Sequence, residues 1–209
     1  LFDFDKIAPE IGYKLLTSTV TPRPIAWVTT LGANGVVNAA PYSFFNAMGH
    51  SPPTLALGLL RDAERGWKDT ARNILDGGEF VVNLVPEALA EAMNATCAGV
   101  GPEVSEMELA GLDAAASTHI KPPRIAASPV SFECVSLAAV VTGPMQTVVI
   151  GRVLAAYIDE AVVLDAARGY IDTPALGLIG RMHGAGWYAR SSDLFQLARP
   201  ARGSGVTKG

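Results

Sequence analysis

Gly35-Val36-Val37-Asn38-Ala39-Ala40-Pro41-Tyr42-Ser43-Phe44-Phe45-Asn46 reads as an extended, mostly apolar strand that ends in small hydrogen-bonding residues and aromatic rings. Just before it, Gly32-Ala33-Asn34-Gly35 has the Asn-Gly pair of a tight hairpin, and Ile25 to Thr30 has the β-branched content of a partner strand. The spacing predicts a returning strand over Val36 to Phe44. Alternation sends Tyr42 and Phe44 to one face and Ser43 and Phe45 to the other, so at least one ring is left to line a cleft or an interface. About twenty residues on, Trp67-Lys68-Asp69-Thr70 sets a cation before a helix start. Together these segments suit a flat heterocycle with a phosphate tail. The plainer alternatives are a core strand with packed Phe residues and an ordinary capped surface helix.

Outward from this point, the chain continues to read as strands. Ser51-Pro52-Pro53 breaks it before a strand over Thr54 to Leu59. Asp69 is expected as the N-cap of a helix from about Thr70 to Leu75, stopped by Gly77-Gly78. Glu79 to Val85 is a strand. Pro86 suits a helix N1 position, with Leu89, Met93 and Cys97 spaced by four. A short helix is expected around Ser105 to Ala110. Val130 to Thr142 and Thr147 to Ile158 form two long strands about a Gly143-Pro144 turn. Residues 1–12 read as an arm, and Ala175 to Arg190 as a Gly-rich segment. Hairpin-joined strands with short helices argue for an antiparallel barrel; long alternating amphipathic helices, the mark of a doubly wound sheet, are missing from the pattern. Residues 1–200 form one domain and 201–209 a flexible tail.

Composition narrows the function. The 209 residues are 49% hydrophobic and 17% charged, which suits a surface partly hidden by a partner subunit, or a core rich in small residues. A domain of this length buries roughly 70% of its unfolded-chain surface. A net charge of −4 supplies no broad positive field, so nucleic acid is not expected and any anion must be gripped locally. Cys97 and Cys134 lack CxxC spacing and read as thiols of a reducing compartment, the cytoplasm by default. No apolar run has the length of a membrane span. The chain starts at Leu1, so leading residues are expected before it. His50, His119 and His183 form no ligand pair, so no metal is expected. His183, flanked by glycines, either touches a bound ring or is a solvated loop histidine. GxGxxG and the P-loop are lacking, and no Ser or Cys nucleophile has a partner.

The run Thr21 to Thr30, then Gly35 to Phe45, Ser51-Pro52-Pro53, and Lys68-Asp69-Thr70 through Glu79-Phe80-Val81-Val82-Asn83 resembles the flavin reductase-like proteins with an FMN-binding split barrel, the flavoredoxin branch above all. The resemblance runs from Tyr13 to about Tyr188. It implies a mainly β fold, a six-stranded antiparallel Greek-key barrel, a homodimer and one FMN per subunit. By position, Asn38, Ala40, Pro41, Tyr42, Ser43, Phe45 and Asn46 would border the flavin ring and ribityl chain. Lys68, Asp69 and Thr70 would hold the phosphate, Thr29 would lie nearby, and Arg181 to Tyr188, with His183, would close the site. Gly49-His50 departs from the small residue and Ser or Asp of relatives. The implied activity is hydride transfer from NADH or NADPH to FMN, then electrons to a free flavin, a metal complex or an acceptor protein. No catalytic side chain is required, because the flavin carries the chemistry. The alternatives are an FMN-binding electron carrier or flavin store without NAD(P)H turnover, and a structural dimer with no flavin.

Overall fold

The Asn34-Gly35 turn forms as the sequence predicts, with Gly35 at φ 81°. In the computed structural model, which describes residues 1–62, 64 and 66–198, it joins β1 (Ala26–Leu31) to β2 (Val37–Tyr42). β3 (Phe45–His50) and β4 (Pro53–Asp62) make the next hairpin, and β5 (Gly66–Trp67) pairs with the end of β4. The helix α1 (Pro9–Thr19) precedes them all. α2 (Asp69–Gly77) leads into β6 (Glu79–Leu84), and α3 (Ala90–Ala95) and α4 (Glu106–Leu109) follow. Two short strands, β7 (Ala114–Ala115) and β8 (Arg124–Ile125), come before the long hairpin β9 (Val130–Gly143) and β10 (Gln146–Ile158). The hairpins β11 (Val163–Asp165) with β12 (Tyr170–Ile171), and β13 (Ile179–Arg181) with β14 (Tyr188–Arg190), end the described chain. The expected tail, 201–209, lies outside the described residues.

The main sheet runs β2-β1-β6-β9-β10-β4-β3. β2 and β3 are consecutive pieces of one run, so the sheet closes on itself with six staves. The predicted single strand from Val36 to Phe44 is corrected here: it breaks at Ser43-Phe44. Closure is the cause, because β2 stays on β1 while β3 must cross to β4, and Gly58 N donates to Phe44 O at the junction (2.7 Å). The connection from β4 to β6 carries α2 and gives Greek-key rather than meander order. Three local expectations also change. Residues 9–19 are helical rather than an arm. Pro86 caps a 3-10 turn over Glu87–Leu89, with α3 behind it, and Cys97 falls beyond that helix. Ala175 to Arg190 contains the β13–β14 hairpin.

β1 is buried from Ala26 to Thr30 because it has a core on each face. Ala26 and Val28 point inward with Leu55, Leu57, Leu59, Phe80, Val82 and Val149, and Ala71 and Ile74 of α2 plug one end. Trp27 points outward into a second cluster with Ile25, Met93, Met107 and Ile125. A fully buried Phe80 or Leu57 contributes about 1.5–3 kcal/mol each. Gly151 lies against the Phe80 ring and leaves no room for a Cβ. Asn83, fully buried, ties β6 to its surroundings: its Nδ2 donates to Trp27 O (2.9 Å), and its Oδ1 accepts from Ile125 N (3.0 Å) and Ser131 Oγ (2.8 Å). No helix among the described residues is long and apolar enough to cross a membrane.

Candidate functional site

The end of β2 and the start of α2 meet, as the sequence anticipates, but one residue shifts role. Lys68 is the N-cap, with no side-chain cap bond, and Asp69 is the first helical residue. Asp69 therefore does not cap the helix; its carboxylate favours the positive end of the helix dipole from the first turn and pairs with Arg72 (3.0 Å). The first amides of α2 have no intrahelical partner. Lys68 is exposed, and its ammonium forms no ion pair with any described residue. At the other end, Gly78 closes the helix in the left-handed region.

β2 pairs with β1 on one edge, and no strand among the described residues pairs with its other edge. Ala39 N–H faces that other edge and donates to Glu106 Oε2 (3.1 Å). By alternation Pro41 faces the same way, so its missing N–H costs the sheet no bond. Glu106 Oε1 accepts from Asn38 Nδ2 (2.9 Å), and Asn38 Oδ1 accepts from Thr70 Oγ1 (2.6 Å). Asn73 Nδ2 donates to Thr30 Oγ1 (3.0 Å), which extends the network. This chain of bonds fixes β2, α2 and α4 relative to one another. Burial pushes the Glu106 carboxyl up, while the donors at its own backbone, Ala39 and Asn38 pull the other way. Glu106 is the residue the sequence reading missed. It lies in the short helix expected around Ser105 to Ala110, and nothing local marks its contact with residues 67 and 68 positions away.

These elements enclose a cavity of about 660 Å³, lined by Asn38, Ala40, Pro41 and Tyr42, by Trp67, Lys68, Asp69, Thr70 and Arg72, and by Glu106 with the 96–102 loop. That volume lies within the roughly 300–1,000 Å³ of small-molecule sites. Burial pushes the Tyr42 phenol up to about 12, so it is neutral near pH 7 and adds no charge against an anion. Aromatic walls, a cation in no ion pair with any described residue and the first-turn amides of α2 line one cavity, which fits a flat ring with an anionic tail. Thr70 is less free than its position suggests, because its hydroxyl proton is given to Asn38.

The remaining expected residues are placed elsewhere. Ser43 lines smaller cavities beside the main one, while Phe45 and Asn46 line a separate cavity of about 440 Å³ on the far side of the Ser43-Phe44 break. Thr29 is fully buried and donates to Pro123 O (2.5 Å), away from the cavity. His183 is exposed and stacks on Trp187, 6.1 Å between ring centres, in the β13–β14 loop. From the expected closing segment, Arg181 and Tyr188 do reach Pro41, Tyr42 and Ser43, at a cavity of about 200 Å³.

Comparison with known proteins places this geometry in a family. Residues 18–173 match the flavin reductase like domain. YwrF, an uncharacterized protein of Bacillus subtilis, is 40% identical across 96% of this chain and 99% of its own. Nitrilotriacetate monooxygenase component B from Bacillus cereus has a structure similar at TM-score 0.89, with 35% identity, over 94% of this chain and 98% of that one. The 2-nitrobenzoate 2-nitroreductase NbaA of Pseudomonas fluorescens is similar at TM-score 0.87, with 32% identity, over 99% of both chains. With its barrel and its match over most of its length, the chain belongs to the flavin reductase-like split-barrel family.

Proposed function

We propose that this chain is an FMN-dependent oxidoreductase that takes hydride from NADH or NADPH and passes electrons to a second acceptor. The observation that carries it is the shared cavity of the β2 end and the α2 start, where Lys68, in no ion pair with a described residue, and the first-turn amides of α2 stand beside the Tyr42 and Trp67 rings. A bound flavin supplies the two-electron chemistry. The chain's part is to bind and orient. Lys68 and the first amides of α2 hold the phosphate. Tyr42 and Trp67 bound the ring slot, and the β2 edge from Asn38 to Ser43 supplies polar contacts. The bonds among Thr70, Asn38 and Glu106 keep that edge rigid. A homodimer belongs to this proposal: Leu137, Val140, Val141 and Leu154 of the β9–β10 hairpin are large apolar side chains left exposed on the single subunit.

The test is spectroscopic. Purified protein mixed with FMN and desalted should stay yellow, and NADH or NADPH added without oxygen should bleach it within minutes. Colour that persists with both nicotinamides but is lost with dithionite identifies an electron carrier or flavin store. Protein that never retains FMN overturns the reading.

A further inference from the structure

Two arginines joined through their main chains, Arg23 and Arg181, have no ion-paired acid among the described residues; Arg23 lines the cavity of about 440 Å³ and Arg181 the one of about 200 Å³. Arg23 is buried, and all its guanidinium bonds go to neutral oxygens: Nη1 to Thr17 O (2.6 Å) and Val20 O (2.7 Å), Nη2 to Met182 O (2.9 Å), and Nε to Ser43 Oγ (3.3 Å). Arg181 is its main-chain partner in both directions, Arg23 N to Arg181 O (3.0 Å) and Arg181 N to Arg23 O (2.8 Å). The Arg181 guanidinium donates to Trp187 O (3.1 Å) and Gly184 O (2.8 Å) and faces the Tyr188 ring at 4.9 Å. Those two bonds leave three of its five N–H donors unused. Among the described residues neither arginine is in an ion pair. Burial lowers the Arg23 pKa, and the charge of Arg181 lowers it further. Adjacent like charges in a partly dry corner carry a free-energy cost that an anion would relieve.

Of the two, Arg181 lines the cavity of about 200 Å³, together with Tyr188, Ser43, Pro41, Tyr42 and Cys97. Pro41, Tyr42 and Cys97 also line the 660 Å³ cavity, so an occupant of the small space touches an occupant of the large one. The small space is below the range of drug-sized sites and admits one ring rather than a dinucleotide. Rings wall it, and a cation with spare donors stands at its edge.

We propose that this side cavity receives the electron acceptor, a single-ring planar compound carrying a carboxylate, with Arg181 binding the carboxylate between the Tyr188 and Tyr42 rings. The binding claim stands on the cavity alone; its redox use rests on the proposed function. The net reaction is acceptor plus dihydronicotinamide plus a proton giving dihydro-acceptor plus oxidised nicotinamide. The C4–H bond of the dihydronicotinamide breaks, and two electrons and two protons enter the acceptor.

Benzoate, a carboxylate that cannot be reduced here, is the probe, with benzamide as its neutral match and inorganic phosphate as a ringless anion. Calorimetry on the full chain, with and without FMN, should find benzoate bound at least roughly tenfold tighter than either control, because an ionised partner strengthens a guanidinium hydrogen bond. Arg181→Gln keeps a donor for the hairpin carbonyls but removes the charge, and should abolish the preference over benzamide. Arg181→Lys should retain most of it. Equal binding of benzoate and benzamide, phosphate binding as tight as benzoate, no binding at all, or a preference that survives in a folded Arg181→Gln each overturns the proposal. If melting curves find that variant unfolded, the wild-type ratios decide alone. A chain that selects benzoate yet never retains FMN sinks the proposed function and leaves this site standing; a yellow, reducible protein indifferent to benzoate does the reverse.

Discussion

Removing the Lys68 charge should weaken FMN and spare riboflavin. The side chain is exposed and in no ion pair with a described residue, at the N-cap of α2 and on the wall of the main cavity. A unit charge about 4 Å from an anion gains about 1 kcal/mol in bulk water and about 4 kcal/mol at the effective dielectric near a protein surface. Exposure puts Lys68 toward the lower figure, so about 1–2 kcal/mol is expected, or roughly 5- to 30-fold in Kd. The amides of the first turn stay in place in Lys68→Ala, so binding weakens without vanishing. Riboflavin has no phosphate and should keep its affinity. Fluorescence-quenching titrations of both ligands, at low and high salt, test this, and salt should shrink the FMN effect by screening. Thr70→Val is the contrasting variant: its hydroxyl proton goes to Asn38, so its loss should affect both flavins alike through the β2 edge. Lys68→Ala weakening both ligands equally, or neither, would refute the phosphate assignment.

Two further outcomes follow from the buried polar groups. The Glu106 carboxyl has a folded pKa above its unfolded value, so its contribution to stability is full below about pH 4.3 and is lost as pH rises through the folded value. Urea melts from pH 4 to 7 should find a shallower fall in Glu106→Gln than in wild type; identical slopes would contradict the burial argument. Asn83→Leu strands Ile125 N–H and leaves the Ser131 hydroxyl without its acceptor, each at about 1–3 kcal/mol, so the loss should reach about 2 kcal/mol or more, and an unchanged urea midpoint would count against it.

The Asn34-Gly35 turn, the flanking strands, the Gly143-Pro144 turn and the glycine stop of α2 depend on backbone conformations that their own residues favour. The cap of α2 slipped by one residue for a physical reason: an acid is favoured both at the N-cap and within the first turn, so Asp69 suits either place. α1 escaped notice because it buries only Gly12 and Thr17 and so has no strong apolar stripe.

The composition, the strand punctuation and the Lys68-Asp69 helix start were enough, from sequence, to specify an antiparallel barrel with a helix start beside a strand end. Partners distant in the chain were left to the tertiary structure. Phe45 and Asn46 are neighbours of Tyr42 in the chain, yet barrel closure at Ser43-Phe44 turns them toward another cavity. Glu106 reaches β2 only because α4 packs against it, and Arg181 reaches the β2 end only because β13 bridges to Arg23; the reason is general: a side chain's own sequence sets its backbone preference, while its charge environment is set by whichever elements fold over it.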